Sequence, residues 1–138
     1  MFVSGYFDKS KDIDNDIARI ENAAQKYHDV PLFIGIDSNS RHHIWNDSVS
    51  NLRGDKLCEF LSVSSLSLLN TGSEPTFSSH QGDSVIDLTI VNSRGLQLSS
   101  NWRVNDSEEI FSDHKMLSFE IDSDKRRKEE RLLNRKYN

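Results

Sequence analysis

The run Pro31-Leu-Phe-Ile-Gly-Ile36, apolar almost throughout and closed by Asp37, constrains the fold of this chain more than any other sequence feature. A short apolar run with a polar end predicts a buried strand. The preceding residues 12–28 place apolar side chains at steps of three and four, which predicts an amphipathic helix. Together the two segments predict a sheet with helices packed on it. The run is far shorter than the ~20 residues that cross a bilayer, so we expect no membrane partner.

Strand and helix patterns continue along the rest of the chain. The order β-α-β-α followed by several strands predicts an α/β fold, that is, an α+β mixed sheet packed by helices. The segment after residue 123 predicts either a charged helix or an irregular tail. The other predictions are strands at residues 2–7, 66–69, 85–91, 102–104 and 116–121, a helix at residues 51–61, and turns at residues 72–75 and 81–83.

Charge is distributed unevenly along the chain. The whole chain carries 17 basic and 22 acidic residues, but residues 124–138 hold seven basic and three acidic ones. The remaining body is therefore acidic, unlike a protein that coats DNA phosphates with Lys and Arg. Clustered carboxylates suit a site for a divalent cation, which prefers oxygen ligands. Acidic side chains that only keep a surface solvated are an equally good interpretation, so both remain open.

Asp37 and Asn39 stand directly after the buried strand, where ligand sites of open α/β sheets lie. A spacing of two puts both side chains on one face if the chain stays extended. The carboxylate could then bind a metal or activate water, and the amide could donate to a phosphate oxygen. The alternative interpretation is an Asx turn that merely leaves the strand.

Asp87 lies inside the apolar run 85–91, where a carboxylate is costly to bury without a partner. We therefore expect a hydrogen bond from a donor such as an imidazole, and the alternative is a solvent-facing position on a half-exposed strand. Asp113 and His114 are adjacent just before the last predicted strand and supply an acid and an imidazole side by side. A solvated surface pair is the alternative for these two residues.

A series of motifs follows in order along residues 1–121. They are Ser4-Gly-Tyr6, Gly35-Ile-Asp37-Ser-Asn39-Ser, Trp45, Asn51-Leu-Arg-Gly54-Asp-Lys-Leu57, Leu69-Asn70, Pro75-Thr-Phe77, Ser84-Val-Ile-Asp87-Leu-Thr89, Trp102-Arg-Val104 and Ser112-Asp-His114. Together they resemble the C-terminal half of an endonuclease/exonuclease/phosphatase domain, the superfamily of DNase I and exonuclease III. Within that superfamily they are most similar to the endonuclease domain of non-LTR retrotransposon polyproteins.

The resemblance implies a DNase I-like fold. The complete fold is a four-layer α/β/β/α sandwich of two similar halves, so this chain would form a partial sandwich with the N-terminal half missing. Residues 1–123 would be the C-terminal portion of the endonuclease domain, and residues 124–138 a charged tail that starts a connector toward a reverse transcriptase. One departure from the family motif Gly-Asp-x-Asn is that Ile36 separates Gly35 from Asp37.

The resemblance also implies roles for single residues. The catalytic set would be Tyr6 on the phosphate, Asp37 activating water, Asn39 holding the scissile phosphate, Asp87 orienting the catalytic histidine, and His114 as that histidine. Asp113 and Asp37 would be metal ligands, with Mg²⁺ as the ion and Mn²⁺ as its substitute. The family's principal Mg²⁺ ligand, a Glu, and an Asn near the phosphate belong to the missing half and match no residue here.

The implied activity is Mg²⁺-dependent hydrolysis of a DNA phosphodiester, which nicks the target site for retrotransposition. The partners would be DNA and a reverse transcriptase domain of the same polyprotein, in the nucleus or cytoplasm. We expect the truncated chain to be inactive or weakly active because a metal ligand is missing. The alternatives are a phosphoinositide or other phosphoester hydrolase of the same fold, and a degenerate, non-catalytic remnant that binds nucleic acid through its basic tail.

Five other conspicuous residues are expected to be structural. Trp45, Trp102 and Phe77 are interpreted as packing groups rather than platforms for base stacking. Cys58 is expected to be an inert buried thiol, the only cysteine of the chain. Arg53 could approach a DNA backbone, but we interpret it as a surface charge at the start of a helix.

Overall fold

The structure, a computed structural model, describes residues 1–105 and 111–137. Apart from a 3₁₀ turn at His43–Trp45, its regular elements alternate between strands and helices in the first half and are mostly strands in the second. The strands are β1 (Phe2–Tyr6), β2 (Phe33–Asp37), β3 (Ser67–Leu68), β4 (Phe77–Ser79), β5 (Gly82–Ser84), β6 (Asp87–Val91), β7 (Ser99–Asn105) and β8 (Met116–Ile121). The helices are α1 (Ile13–Lys26), α2 (Leu52–Val63), α3 (Ser93–Leu98) and α4 (Ser123–Tyr137).

A four-stranded sheet in the order β1-β2-β6-β3 forms the centre of the structure. Strands β1 and β2 are parallel, whereas β6 runs antiparallel to both β2 and β3. The chain passes from β1 to β2 through α1, as a parallel pair requires. Strands β4–β5 and β7–β8 form two separate two-stranded units. The mixed α/β architecture expected from the sequence is therefore present.

Apolar side chains cover one face of the central sheet and part of the other. One face packs on α1 and α2, with Ile20, Leu57 and Ile90 each at most 4% exposed. The other face contacts the β7–β8 unit through a smaller cluster that includes Phe33 and Trp102. The second face is in part open, because an elongated cleft between the central sheet and β8 is lined by residues of β1, β2, β6 and β8.

Most of the predicted elements are present, with shifted ends. The strand predicted from residue 85 starts at Asp87, because the Val85 N–H donates to a side-chain carboxylate and the Ile86 N–H to a side-chain hydroxyl instead of a strand partner. The predicted turn at residues 81–83 is wrong in part, since the chain turns at His80–Gln81 and the next residues belong to β5. Helix α3 was not predicted, because six residues are too few to show a helical period.

The C-terminal segment adopts the first of its two predicted alternatives, a charged helix that is α4. The last residue of that segment, Asn138, lies outside the described residues. Trp45 and Trp102 are 2% and 8% exposed, as expected of packing groups. Among the described residues, no helix has the length and apolar character needed to cross a bilayer.

Candidate active site

Strand register brings three predicted site residues into one row. Tyr6 ends β1 opposite Asp37, which ends β2, and Asp37 lies opposite Asp87, which begins β6. The row runs across three adjacent strands at one end of the sheet, so the side chains of Asp37 and Asp87 meet although 50 positions separate them in the sequence. Both carboxylates are mostly buried, with 19% and 17% of the side chain exposed.

Thr76 fixes the segment that carries His114 beside this row. Its hydroxyl accepts hydrogen bonds from the backbone N–H groups of Ile86 and Asp87, both at 3.1 Å. Its carbonyl accepts from the Lys115 N–H at 2.8 Å. One fully buried threonine therefore holds the start of β6 and the backbone next to His114. The neighbouring Phe77 places its ring against the imidazole edge-on, with centroids 4.9 Å apart.

The imidazole of His114 lies between two carboxylates. Its Nδ1 is 3.0 Å from Oδ2 and 3.1 Å from Oδ1 of Asp87. An ionised carboxylate only accepts hydrogen bonds, so Nδ1 carries the proton that it donates to Asp87. The opposite nitrogen, Nε2, is 3.6 Å from Oδ2 of Asp37. The bond from an imidazole that the burial of Asp87 led us to expect is present.

Asp37 and Asn39 form a tight turn where β2 ends. The Asn39 N–H donates to Oδ1 of Asp37 at 3.2 Å, which is the Asx turn given above as the alternative. Asn39 has a φ of 45°, a left-handed conformation that asparagine tolerates better than most residues. Its side-chain amide donates to the Phe7 carbonyl at 2.8 Å, which leaves the second amide N–H for another acceptor. Both residues also line the adjacent cleft, so the turn and a functional position are compatible.

The environment of Asp37 disfavours its ionised form. Burial raises the pKa of its carboxyl above the ordinary value, and the Asp87 carboxylate across the strand pair raises it further. The Asn39 N–H and the His114 imidazole oppose this rise, but they do not outweigh it. A carboxyl with a raised pKa inside a cleft is a common feature of sites that handle protons or cations.

An open cleft of about 680 Å³ connects the predicted site residues. Tyr6, Asp37, Asn39, Asp113 and His114 all line it, together with the tip of the β4–β5 hairpin. Asp87 lies behind His114 rather than on the cleft wall.

Among the described residues, Asp37, Asp87 and His114 are a group that could hold a metal ion, with one atom from each within 4.8 Å of the others. Asp113, predicted as a second metal ligand, is exposed on the cleft outside this cluster. Two carboxylates and an imidazole are a donor set that suits a divalent cation.

The sequence analysis missed an ion pair beside the cleft, formed by Arg41 on the cleft wall and the buried Asp47. Asp47 is 3% exposed and accepts from Arg41 Nη2 at 2.7 Å and from the Val85 N–H at 2.7 Å. Burial opposes ionisation of Asp47, but the hydrogen bonds from Arg41, Val85 and Val49 prevail and lower the pKa of the carboxyl. A basic and an acidic residue six positions apart are common on surfaces, so no sequence signal separates this pair from a solvated one.

The interpretation of Arg53 as a surface charge at a helix start is wrong. Its half-buried guanidinium donates to three backbone carbonyls instead: Nε to Asn39 O at 3.0 Å, Nη1 to Lys11 O at 2.7 Å and Nη2 to Ser38 O at 3.4 Å. Two of these carbonyls belong to the turn that carries the Asp37 and Asn39 side chains. The sequence held one signal for this role: Arg53 lies within the Asn51–Gly54 motif, and the helical period of apolar residues does not explain why an arginine stands there.

Comparison with known proteins identifies relatives of the chain among retrotransposon proteins. The model of the family described as endonuclease-reverse transcriptase matches residues 1–118. A probable RNA-directed DNA polymerase from transposon BS of Drosophila melanogaster is 34% identical over 94 residues, which are 66% of this chain and 10% of that protein. A putative 115 kDa protein in type-1 retrotransposable element R1DM, from the same organism, is 31% identical over 98 residues, 64% of this chain and 9% of that protein.

Solved structures agree with these matches. The endonuclease domain of TRAS1, a telomere-specific non-LTR retrotransposon, superposes with a TM-score of 0.77 at 30% identity and covers 84% of this chain and 54% of that one. A 3′-5′ exonuclease (NExo) from Neisseria meningitidis, with a TM-score of 0.61 at 15% identity, covers 79% of this chain and 53% of that one and shares the fold. This chain thus spans about half of each solved structure and about a tenth of the curated relatives. It has the fold of a DNase I-like endonuclease domain and belongs to the endonuclease-reverse transcriptase family.

Proposed function

We propose that the chain is the C-terminal portion of a Mg²⁺-dependent DNA endonuclease that nicks target DNA for retrotransposition. The observation that carries the proposal is the His114 imidazole between Asp87 and Asp37 beside the cleft, with one ring nitrogen facing each carboxylate. Support comes from the endonuclease domain of TRAS1, which shares the fold at 30% identity. Residues 1–123 form the endonuclease portion in this proposal, and residues 124–138 connect it to a reverse transcriptase.

The chain's own residues supply binding and proton handling in this mechanism. Asp87 holds the His114 ring and its tautomer, so that Nε2 lies on the side of Asp37, beside the cleft. Hydrolysis of a phosphodiester develops negative charge on the phosphoryl and leaving oxygens, and an imidazolium N–H at Nε2 stabilises that charge. Asp37, whose pKa is raised by burial, accepts the proton of the attacking water as a general base. Asn39 and Tyr6 donate to the non-bridging oxygens of the phosphate from the same cleft.

In this proposal the divalent cation lies at Asp37, and His114 is kept as the N–H donor. Asp37 supplies a carboxylate oxygen, and Asp113 lies on the wall of the same cleft. Mg²⁺, or Mn²⁺ in its place, supplies charge neutralisation at the phosphate when it is bound. Of the two expectations for this chain, inactive or weakly active, we propose the second. The chain spans 54% of the TRAS1 endonuclease structure, so we expect nicking that is measurable with excess protein but weaker than that of a domain of full length.

Nicking of supercoiled plasmid by excess protein tests the proposal. We expect conversion to the open circle with Mg²⁺ or Mn²⁺, loss of conversion with a chelator, and a decrease of about 10²–10⁴-fold for His114→Ala. His28→Ala is the matched control, because His28 is exposed beyond the end of α1, its Nδ1 lies 2.9 Å from the Gln25 carbonyl, and it does not line the cleft of the candidate site. Equal rates for His114→Ala and wild type, or release of phosphate from an inositol phosphate in preference to DNA, would contradict the proposal.

A further inference from the structure

The Asn51–Gly54 motif begins α2, and its first residue joins the helix to the loop after β2. The Asn51 side chain accepts from the Gly54 N–H at 2.8 Å, which caps the helix. The same oxygen accepts from the Arg41 N–H at 3.2 Å, and the Asn51 N–H donates to the Arg41 carbonyl at 3.0 Å. The start of α2 and the loop at Arg41 therefore each donate a hydrogen bond to the other.

Gly54 allows the first turn of α2 to lie directly on this loop. A Cβ at position 54 would be 1.8 Å from the Arg41 carbonyl oxygen and 2.6 Å from its carbonyl carbon. Both atoms are backbone, so a side chain could be accommodated only if the loop or the helix moved. This close packing brings Arg53, the third residue of the motif, within reach of the turn at Asp37.

Arg53 uses this closeness to hold the turn from outside. Its guanidinium donates to the carbonyls of Asn39 at 3.0 Å, of Ser38 at 3.4 Å and of Lys11 at 2.7 Å. The Lys11 carbonyl belongs to the segment that enters α1, so Arg53 joins three parts of the chain. A planar guanidinium carries five N–H donors in a fixed arrangement, whereas an ammonium is a compact charge on a flexible stem.

The inner side of the turn has its own anchor. Ser38 is fully buried, and both its N–H, at 2.8 Å, and its hydroxyl, at 2.7 Å, donate to the Ile86 carbonyl. This anchor ties the turn to the start of β6 and thus to Asp87. It does not reach Asn39, whose carbonyl accepts from Arg53. The N–H and the side-chain amide of Asn39 bond to Asp37 and Phe7, and Arg53 holds the remaining polar group of its backbone, the carbonyl.

We propose that Arg53 is a positioning residue, which sets the conformation of the Asp37–Asn39 turn through the backbone and contacts no substrate. The proposal rests on the proposed function, in which Asp37 and Asn39 act on water and phosphate. The whole Asn51–Gly54 motif then has one purpose: capping by Asn51, close approach at Gly54 and bonding by Arg53 lock the turn in its working geometry.

The test compares Arg53→Lys and Arg53→Ala with the control Arg19→Ala, an arginine whose side chain is 80% exposed on α1. Residue-resolved amide hydrogen exchange is the first readout and does not depend on activity. We expect exchange at Asn39 to accelerate at least about tenfold in both Arg53 variants, while Ile90 in β6 stays within about twofold of wild type. Arg19→Ala leaves both amides unchanged.

Plasmid nicking is the second readout. In Arg53→Lys we expect kcat to fall at least about tenfold while KM for DNA stays within about twofold of wild type. We also expect millimolar guanidinium to restore part of the nicking rate of Arg53→Ala but not that of Arg53→Lys. Unchanged exchange at Asn39 in Arg53→Lys would overturn the proposal, as would a higher KM with unchanged kcat, which identifies a direct contact with DNA. If the wild-type chain does not nick, the proposed function fails, and amide exchange still decides the role of Arg53.

Discussion

Removal of the buried Asp47 carboxylate should destabilise the chain strongly. Its side chain is fully buried, and its two oxygens accept from Arg41 Nε at 2.9 Å and Nη2 at 2.7 Å and from the N–H groups of Val49 at 3.0 Å and Val85 at 2.7 Å. Asp47→Ala leaves a guanidinium that is only 29% exposed without its counter-ion, and it also removes the acceptor of the buried Val85 N–H. Loss of one partner of a buried ion pair costs about 3–5 kcal/mol, a large part of the about 5–15 kcal/mol that stabilises a domain.

Urea unfolding followed by circular dichroism measures this loss. With a slope of about 2 kcal/mol per molar urea, the midpoint should fall by about 1.5–2.5 M. Asp29→Ala, at an exposed position, is the matched control and should stay within about 0.5 kcal/mol of wild type. A loss below about 1 kcal/mol for Asp47→Ala would refute the reasoning, because it would show that the four bonds are no better than those to water.

The pH dependence gives an independent check of the same carboxylate. Its pKa is lowered from 3.8 in the folded chain, so its stabilisation is complete above that pH and is lost as the pH falls through the folded value. The difference in unfolding free energy between wild type and Asp47→Ala should therefore be constant near neutral pH and narrow below about pH 4. A difference that widens as the pH falls would contradict the lowered pKa.

Two further predictions concern stability near the site. Gly54→Ala should lower the free energy of unfolding in urea by at least about 1–3 kcal/mol, because the new Cβ would overlap the Arg41 carbonyl. The control Gly35→Ala, with no atom within 4 Å of its Cβ, should stay within about 1 kcal/mol of wild type. Equal losses in the two variants would refute the overlap. Asp37→Asn should raise the melting temperature at neutral pH, because a carboxyl whose folded pKa is raised costs stability that grows as the pH rises from 3.8 and is complete above the folded pKa. The gain should vanish below about pH 3.8, and a lower melting temperature at pH 7 would contradict the raised pKa.

The parts of the site that follow from short-range rules were predictable from the sequence. An apolar run that ends at Asp37 indicated where β2 stops, and the residue types of Asp37 and Asn39 offered an Asx turn there as one interpretation. Asp87 in an apolar strand required a donor, and the structure supplies His114 at 3.0 Å. Each of these predictions used only two rules, the free-energy cost of burying a charge and the geometry of a single strand.

The contacts that support the site were not predictable in the same way. Arg53 reaches Lys11 across 42 positions, and Asp47 reaches Val85 across 38. Both side chains are typical surface residues by composition, and only the packing of α2 and the β4–β5 hairpin decides whether they meet backbone or water. The β4–β5 hairpin itself is short and polar, so its strands lack the apolar alternation that indicates a strand.

The central claim is that Asp87 acts on the phosphodiester through His114 rather than independently. A double-mutant cycle on plasmid nicking, with Asp87→Asn, His114→Ala and both changes together, measures this most directly. We expect non-additive losses, so that the double variant nicks at the rate of His114→Ala within about threefold. If the fold-decreases in nicking rate of the two single variants multiply in the double variant, Asp87 acts independently of His114 and the claim is contradicted.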